Sequence, residues 1–353
     1  MPPYVSFVMF ARNDGYGHQG TSRLQHSIDT LVQQLNDYRL EAEILLVEWN
    51  PPVDSRPLTE ALRPPQGPGV ASLRIITVPP RFHARYRGHD SKGMHVAAAF
   101  NVGLRRARGE FVLPKPSDVY YTDPVIERIA VRNLDRSGIY RVDRYDVDSS
   151  AVANLEMDRK QLFESSAVHV VRHHTPLDIP AYLGIRKLHS NACGDFSLMS
   201  RELWFQVGGW FEGQSVASLD VDSLALHAVA ACGGREVRWP EPCRVYKMVH
   251  GSITINRVRQ TFRRHEEWLE SIAERTLSIV WRTRLRILLD FPKRRIEGLP
   301  GLQPSFERNF LRRAQRWGAG KAPFHLNSPN WGLAREALSA KYLYRAAWDQ
   351  PAT

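Results

Sequence analysis

The sequence predicts an α/β protein: a mixed, mostly parallel sheet flanked by helices, followed by a basic and mainly helical C-terminal extension. Three observations point there. Through the first half of the chain, short apolar runs of strand character alternate with stretches whose apolar residues recur at helical spacing. The apolar runs close in polar turns, which in a parallel sheet mark the edge where ligands bind. Beyond about Ser252 the pattern changes to basic amphipathic helix and then to a tail punctuated by Pro and Gly. The chain is therefore divided into an α/β domain over 1–252 and an extension over 253–353.

The first element is a strand over Tyr4 to Phe10, closed by the turn Ala11-Arg12-Asn13-Asp14-Gly15. Leu24, Ile28, Leu31 and Leu35 then repeat at helical spacing, with Thr21 or Ser22 as the N-cap. Glu43 to Glu48 forms a second strand ending at Trp49-Asn50-Pro51-Pro52, and the Pro- and Gly-rich stretch Ser55 to Gly69 reads as a loop. A third strand over Leu73 to Val78, an Ala-rich helix over Ser91 to Ala107 and a fourth strand over Phe111 to Leu113 follow. This order implies right-handed crossovers between parallel strands. Further on, Ile139 to Val147 alternates as one strand and Gly194 to Met199 forms another. A helix from Arg201 ends at Gly208-Gly209, and another covers Val221 to Ala231. No G-x-G-x-x-G or P-loop pattern follows the first strand, which argues against a dinucleotide dehydrogenase or a P-loop NTPase.

With 43% hydrophobic and 24% charged residues, the 353-residue chain is composed to bury a sizeable core. No apolar stretch approaches the ~18 residues of a membrane span. The opening Met-Pro-Pro leads into a strand rather than a secretory signal. A cytoplasmic protein is expected, with peripheral contact at the inner membrane surface left open. The three cysteines, Cys193, Cys232 and Cys243, lack CxxC spacing and read as small buried hydrophobes in a reducing compartment. The net charge is +11, and Lys and Arg outnumber carboxylates between Arg257 and Lys321. That stretch suits an anionic acceptor, an anionic membrane or a solvated helical surface. Nucleic acid is not expected as a partner, because no recognisable binding motif accompanies the charge.

Three residues stand where chemistry is expected. Asp118 follows the strand Phe111 to Leu113, as a ligand for a hard cation or a neighbour of phosphate would, or as a turn residue bonded to nearby backbone. Asp222 opens a helix, where a carboxylate serves either as general base or as a partner of the helix dipole; Asp220 competes for both roles. His250 ends the strand-like run Val245 to Val249 and reads as a metal ligand or as a structural histidine.

Over residues 4 to 251 the chain resembles the inverting GT-A glycosyltransferases of the family-2 type. The resemblance is carried, in order, by VSFVMFARND, EILLVEWNPP, NVGLRRARGEFVL with PSDVYY, IYRVDRYDV, NACGDFSLMSRELWFQVGGW, LDVDSLALHA and YKMVHG. The run NSPNWGL, Asn327 to Leu333, is also similar to a segment of such bacterial enzymes. The resemblance implies a GT-A, Rossmann-like catalytic domain that moves a hexosyl group from a nucleotide-diphosphosugar, UDP-linked first of all, to a glycan or lipid-linked acceptor. It implies that Arg12, Asn13, Asp14 and Glu48 line the nucleotide pocket, that Asn101 faces the donor, and that Asp195 lies near the donor sugar or acceptor. Asp222 then takes the place of the catalytic base. Asp118 stands at the last position of the acidic DxD-type motif, and with His250 would hold Mg2+ or Mn2+.

The sequence departs from that pattern at Pro116, which stands where the first carboxylate belongs, so Lys115 or nearby arginines are candidates to share the charge neutralisation. Asp220-Val221-Asp222 replaces the usual Glu-Asp pair. In the extension, Leu277 to Leu289 carries an apolar stripe interspersed with Arg282, Arg284 and Arg286, suiting a bilayer surface or a packed helix. Trp317, Phe324, Trp331 and Trp348 offer aromatic surface for sugars or for packing, and the extension is expected to close over the acceptor site. An inactive GT-A-like scaffold is the alternative function. A sugar nucleotidyltransferase is disfavoured, since Ala11 to Gly20 provides no clear Gly-rich basic loop.

Overall fold

A computed structural model describes residues 2–15, 20–65, 69–90, 92–148, 167–171, 188, 192–213, 221–249 and 325–350. These fall within one compact unit formed by Met1–His173, Leu188–Val249 and Pro323–Thr353. The remainder, 174–187 and 250–322, lies outside the described residues. So do His250, Asp220, Trp317, Phe324 and the stretch 277–289.

The expected α/β architecture forms. Strand β1 (Val5–Ala11) leads through helix α1 (Gly20–Asp37) to β2 (Ala42–Trp49), and the one-turn helix α2 (Leu58–Ala61) leads to β3 (Ala71–Val78). A second single turn, α3 (Pro80–His83), and α4 (Val96–Arg106) precede β4 (Phe111–Pro114). The four strands are parallel, with Val5 opposite both Ala42 and Phe111, and Ala42 opposite Ala71. Alternation along β1 gives each face its own cover. Val5, Phe7 and Met9 share a core with Leu24, Ile28, Leu31 and Leu35 of α1, which recur on one helical stripe. Gly103 of α4 lies against Val8 and Val47 on the opposite face.

The chain progresses from β1 through β2 to β3 in one direction, then returns to the other side of β1 for β4. Crossovers leaving in opposite directions open a crevice beyond the carboxyl ends of β1 and β4, where open α/β sheets bind ligands.

After β5 (Val119–Tyr121) and α5 (Asp123–Ala130), the structure corrects the sequence expectation. Ile139 to Val147 is not one strand. It divides at Val142 into β6 (Gly138–Arg141) and β7 (Asp143–Asp148), which belong to different sheets. Unbroken alternation reports an extended chain with two faces and carries no information about which neighbour supplies the hydrogen bonds. After β8 (Ala167–Val171), the strand expected from Gly194 shrinks to β9 (Leu198–Ser200), because Asp195 N–H bonds Ala192 O at 3.1 Å in a turn. Strand β9 lies antiparallel between β4 and β6.

Helix α6 (Arg201–Val207) is capped by the Ser200 hydroxyl, which accepts from Leu203 N–H at 3.2 Å, and stops at Gly208 with φ +78°. Helix α7 (Val221–Ala231) matches its expected span, and β10 (Arg235–Arg238) and β11 (Arg244–Val249) follow. A four-stranded sheet in the order β5-β11-β7-β8 results. Tyr120, Val147, Tyr246 and Met248 form a small apolar cluster on one of its faces. Val119, Tyr121 and Val245 join the main core from the other.

The C-terminal residues also depart from expectation. Residues 325–350, placed by the sequence in a helical extension, return to the first unit and add β12 (Ser339–Tyr344) antiparallel to β3. This completes an eight-stranded sheet, β10-β6-β9-β4-β1-β2-β3-β12. The exposed edge of β3 supplies backbone partners that no local sequence signal announces. Trp331 is 1% exposed, with the Phe205 ring at 5.2 Å and the Arg105 guanidinium 4.6 Å from its centroid. Trp348 donates to Val70 O at 2.7 Å. Both tryptophans thus serve packing.

Two arginines bolt this segment down. Arg106 donates to Gly332 O at 2.7 Å, Leu333 O at 2.8 Å and Glu336 O at 3.0 Å. Arg108 pairs with Asp349 at 2.7 and 2.9 Å and with the fully buried Glu43 at 2.9 Å. Arg106→Ala removes the donor from several carbonyls at once. It is expected to cost about 3 kcal/mol in urea unfolding, in the range for hydrogen bonds to charged groups.

Candidate functional site

The crevice edge is built from the turns that follow the parallel strands. Beyond β4 the pairing extends one step, with Lys115 N–H bonded to Val8 O at 2.8 Å, so residues 12–14 and 115–118 emerge at the same edge. Arg12 organises the first turn. Its Nε donates to Asn50 O at 2.6 Å and its Nη1 to Asp14 Oδ2 at 2.8 Å. The guanidinium lies so close over Gly93 that a Cβ there would sit 1.8 Å from Nη1. This contact and the His95 cap of α4, whose Nδ1 accepts from Ala98 N–H at 3.3 Å, keep 92–95 out of the helix expected from Ser91. Asn13 bonds Arg56 O and the Thr21 hydroxyl, each at 2.8 Å. Arg12, Asn13 and Asp14 thus form one wall tied to the β2 turn.

Behind the wall, Trp49 packs among His83, Tyr86 and His95. Its indole N–H donates to His83 Nδ1 at 2.9 Å, which puts the His83 proton on Nε2, facing the carbonyls of His89 and Lys92. Burial pushes His95 down to about 4, so its imidazole is neutral.

Two expected pocket residues, Glu48 and Asn101, are buried and bonded within the protein. Glu48 is fully buried; Oε1 accepts from Leu58 N–H at 2.7 Å and Oε2 from the Thr77 hydroxyl at 3.0 Å. Its carboxylate serves the N-terminus of α2. Asn101 is also fully buried, and its amide grips the Trp210 backbone, donating to Trp210 O at 2.7 Å and accepting from Trp210 N–H at 2.8 Å. Polar side chains at a strand end or mid-helix can turn inward, and linear spacing does not report the choice.

The charged centre lies where the two sheets meet. On β7, Arg144 and Asp146 share a face, and Asp146 is opposite Lys247 of β11. Asp195, carried by the 192–195 turn, is 5% exposed and receives Arg144 at 2.6 Å and Lys247 at 2.7 Å on its two oxygens. Arg144 also pairs with Asp146 at 2.8 Å. Lys247 lies 3.8 Å from Asp118 Oδ2, and the antiparallel ladder locks that proximity, since Met248 N–H bonds Asp118 O at 2.9 Å. Burial works against the Asp195 charge, yet Lys247 and Arg144 hold its carboxyl below the usual range. Burial likewise opposes the Lys247 ammonium, and Asp118 and Asp195 outweigh it, raising lysine above its ordinary value.

Asp222 sits beside this centre at the start of α7. Its Oδ1 accepts from Ser223 N–H at 2.9 Å, and a Cβ on Gly194 would lie 2.7 Å from Oδ2. The buried Arg141 guanidinium feels both Asp222 and Asp195 electrostatically. Cys193, buried next to Gly194, has its thiol pushed up by burial and by Asp222 and is inert. All three cysteines are free, with Cys193 and Cys243 buried, as small core residues should be.

Asp118 and Asp195 are thus joined through Lys247, and Asp222 lies against Gly194 next to Asp195. Among the described residues no group of three or more His, Cys, Asp and Glu side chains could hold a metal ion. Asp118 faces an ammonium, and Asp195 has each oxygen on a cation, so these residues do not fit a divalent-cation site. His250 lies outside the described residues. Lys115 does not face the crevice. It is 1% exposed, donates to Ser27 Oγ at 2.6 Å and to Val119 O, and is pushed down to about 7 by burial. Sequence reasoning missed Arg144 and Lys247, although the spacing of Arg144 and Asp146 in a strand already put them on one face.

No protein-family profile matches the chain, and no curated protein matches it. Among solved structures it is similar to S. aureus TarS 1-349, at 12% identity and TM-score 0.43, covering 69% of this chain and 60% of that one. The complex of TarS 1-349 with UDP gives 14% identity, TM-score 0.41 and coverages of 69% and 60%. A mannosyltransferase from Pyrobaculum calidifontis, PcManGT, in complex with GDP-Man and Mn2+, gives 14% identity, TM-score 0.40 and coverages of 91% and 87%. The chain thus spans 60% of the length of the TarS fragment. No helix among the described residues is long and apolar enough to cross a membrane.

Asp195→Asn would leave Arg144 and Lys247 buried against a neutral amide, at an expected cost of about 3–5 kcal/mol in denaturant unfolding at neutral pH. Because the folded Asp195 titrates below its unfolded value of about 3.9, its stabilisation is present above that pH and is lost as pH falls through the folded value. The variant should lack this part of the acid-side slope in a series of unfolding curves.

Proposed function

We propose that the chain is a GT-A-type glycosyltransferase resembling the family-2 inverting enzymes, which transfers a hexosyl group from a nucleotide-diphosphosugar to a hydroxyl of a glycan or lipid-linked acceptor. A UDP-linked donor is the first candidate, and glycan or glycoconjugate biosynthesis the setting. One observation supports the reading: Asp118 and Asp195 both face Lys247, and Asp222 packs against Gly194, the residue before Asp195. The ordered sequence blocks that resemble the family supply those same residues. In this proposal the donor nucleotide lies along the Arg12-Asn13-Asp14 wall, and the basic stretch between Arg257 and Lys321 suits an acceptor at the cytoplasmic membrane surface.

Asp222 is the general base. The acceptor oxygen bonds to the anomeric carbon as the bond from that carbon to the diphosphate oxygen breaks. The hydroxyl proton passes to Asp222, and the electron pair leaves with the nucleoside diphosphate. Gly194 leaves the room that the Asp222 carboxylate occupies, and Arg141 balances charge behind it. Pro116 in place of a motif carboxylate favours a second reading, an inactive sugar-nucleotide-binding scaffold, which turnover of any donor rejects.

Asp222→Asn is expected to lower kcat by about 10²–10⁴-fold, the usual contribution of a general base, with donor affinity retained in calorimetric titration. Full turnover in this variant rejects the base assignment. Gly194→Ala should reproduce the same split between kcat and donor binding, since the added methyl displaces the carboxylate of Asp222 and meets no backbone there. Its melting temperature should stay close to that of the parent.

A further inference from the structure

A site that releases a nucleoside diphosphate must meet the charge growing on the departing oxygens. Where two motif carboxylates are present, a divalent cation bound between them answers that need. Here Pro116 removes one of the two, and the described residues do not form a cation site. What they do hold, between Asp118 and Asp195, is an ammonium.

We propose that Lys247, seated between Asp118 and Asp195, is the built-in positive charge that this site presents to the diphosphate of the donor. The inference rests on the glycosyltransferase reading and adds a residue that the sequence motifs do not point to. Three features of the structure support it. First, the position of Lys247 is set by backbone: β11 pairs with β5 on one side, Lys247 opposite Val119, and with β7 on the other, Lys247 opposite Asp146. The side chain therefore leaves the sheet on the face of Val119 and Asp146, and Tyr246 and Met248 point to the opposite face. Second, the ammonium is fixed asymmetrically, 2.7 Å from Asp195 Oδ1 and 3.8 Å from Asp118 Oδ2, so its hydrogen bond is to Asp195 and its contact with Asp118 is electrostatic. Third, the Lys247 side chain is 27% exposed, whereas Lys115, the other lysine of the region, is 1% exposed and turned inward.

The surrounding charges assign distinct parts. Arg144 is committed to Asp195 and Asp146 and braces the carboxylate that holds Lys247. Asp118 faces the same ammonium and orients it. An ammonium with three donors can keep its bond to Asp195 and still direct an N–H to a phosphate oxygen. Lysine is a point charge suited to phosphate, and its tether makes it independent of metal supply.

Calorimetric titration of the full chain with UDP and with GDP, first in EDTA and then with excess Mn2+, tests the assignment. The wild type is expected to bind one of the two nucleotides in EDTA, with an affinity that Mn2+ changes by less than about threefold. Lys247→Gln should weaken EDTA binding by at least about tenfold and recover part of it in Mn2+, because the cation then supplies the positive charge that the ammonium no longer does. Lys247→Arg keeps the charge and should bind in EDTA within about threefold of the wild type, which separates loss of charge from loss of fold. In turnover with the matching nucleotide sugar in EDTA, Lys247→Gln should lower kcat by about 10²–10³-fold, since the charge matters most as the leaving group departs. Wild-type binding that requires Mn2+, or Lys247→Gln binding unchanged in EDTA, overturns the assignment and leaves the transferase reading standing. Binding of neither nucleotide under either condition overturns both.

Discussion

The parallel pairing of β1 with β2 on one side and β4 on the other is the constraint from which the functional edge follows. Every residue of β1 is matched, from Val5 opposite Ala42 to Ala11 opposite Glu48, and β4 adds Phe111 through Pro114 on the far side. Strands buried on both faces tolerate no slip, because a shift of one residue would exchange the face covered by α1 for that covered by α4. With that register held, the turns after β1, β2 and β4 must emerge together, and the reversal of strand order at β1 opens the crevice they line. The polar turn residues then have little freedom. Arg12 reaches Asn50 and Asp14, Asn13 reaches Arg56 and Thr21, and the edge becomes one bonded surface.

The second sheet contributes charge where the first contributes shape. Placing Asp195, Arg144 and Lys247 in a mostly buried cluster is costly in desolvation, and only close pairing compensates. The cluster meets that condition, with both oxygens of Asp195 on cations and a further pair between Arg144 and Asp146. Its elements come from distant parts of the chain: a strand near residue 145, a turn near 194 and a strand near 247. Such a cluster is set by three backbone placements at once, so each side chain is held in a narrow range of positions. The same rigidity suits a centre that must present charge without reorganising.

The C-terminal segment shows a comparable use of buried charge for attachment. Arg106 binds successive carbonyls around Gly332 and Leu333, and Arg108 joins Asp349 to Glu43, which also accepts from Ser6 and Arg74. Asn101 and Asn327 both clamp the Trp210 backbone, so the NSPNWGL run is part of the packing that supports the turn after α6. It touches none of the proposed reacting groups.

Local sequence was sufficient for the elements whose pattern is their own cause. The stripe of Leu24, Ile28, Leu31 and Leu35 specifies an amphipathic helix, the apolar runs at β1, β2 and β3 specify buried strands, and Gly208 specifies where α6 stops. The positions of Asp118 after a strand and of Asp222 at a helix start were legible in the same way, whereas the turn that carries Asp195 falls in a stretch that reads as strand. What only the tertiary structure decided is the partner of each exposed backbone edge and the direction of each side chain at the turns. Alternation could not reveal that β6 and β7 belong to different sheets, that β12 returns to β3, or that Glu48 and Asn101 turn inward and Lys247 turns toward Asp118. The physical reason is range: periodicity records how a residue relates to its own helix or strand. Pairing across sheets and the neutralisation of buried charge arise between residues tens to hundreds of positions apart, where no local pattern carries the information.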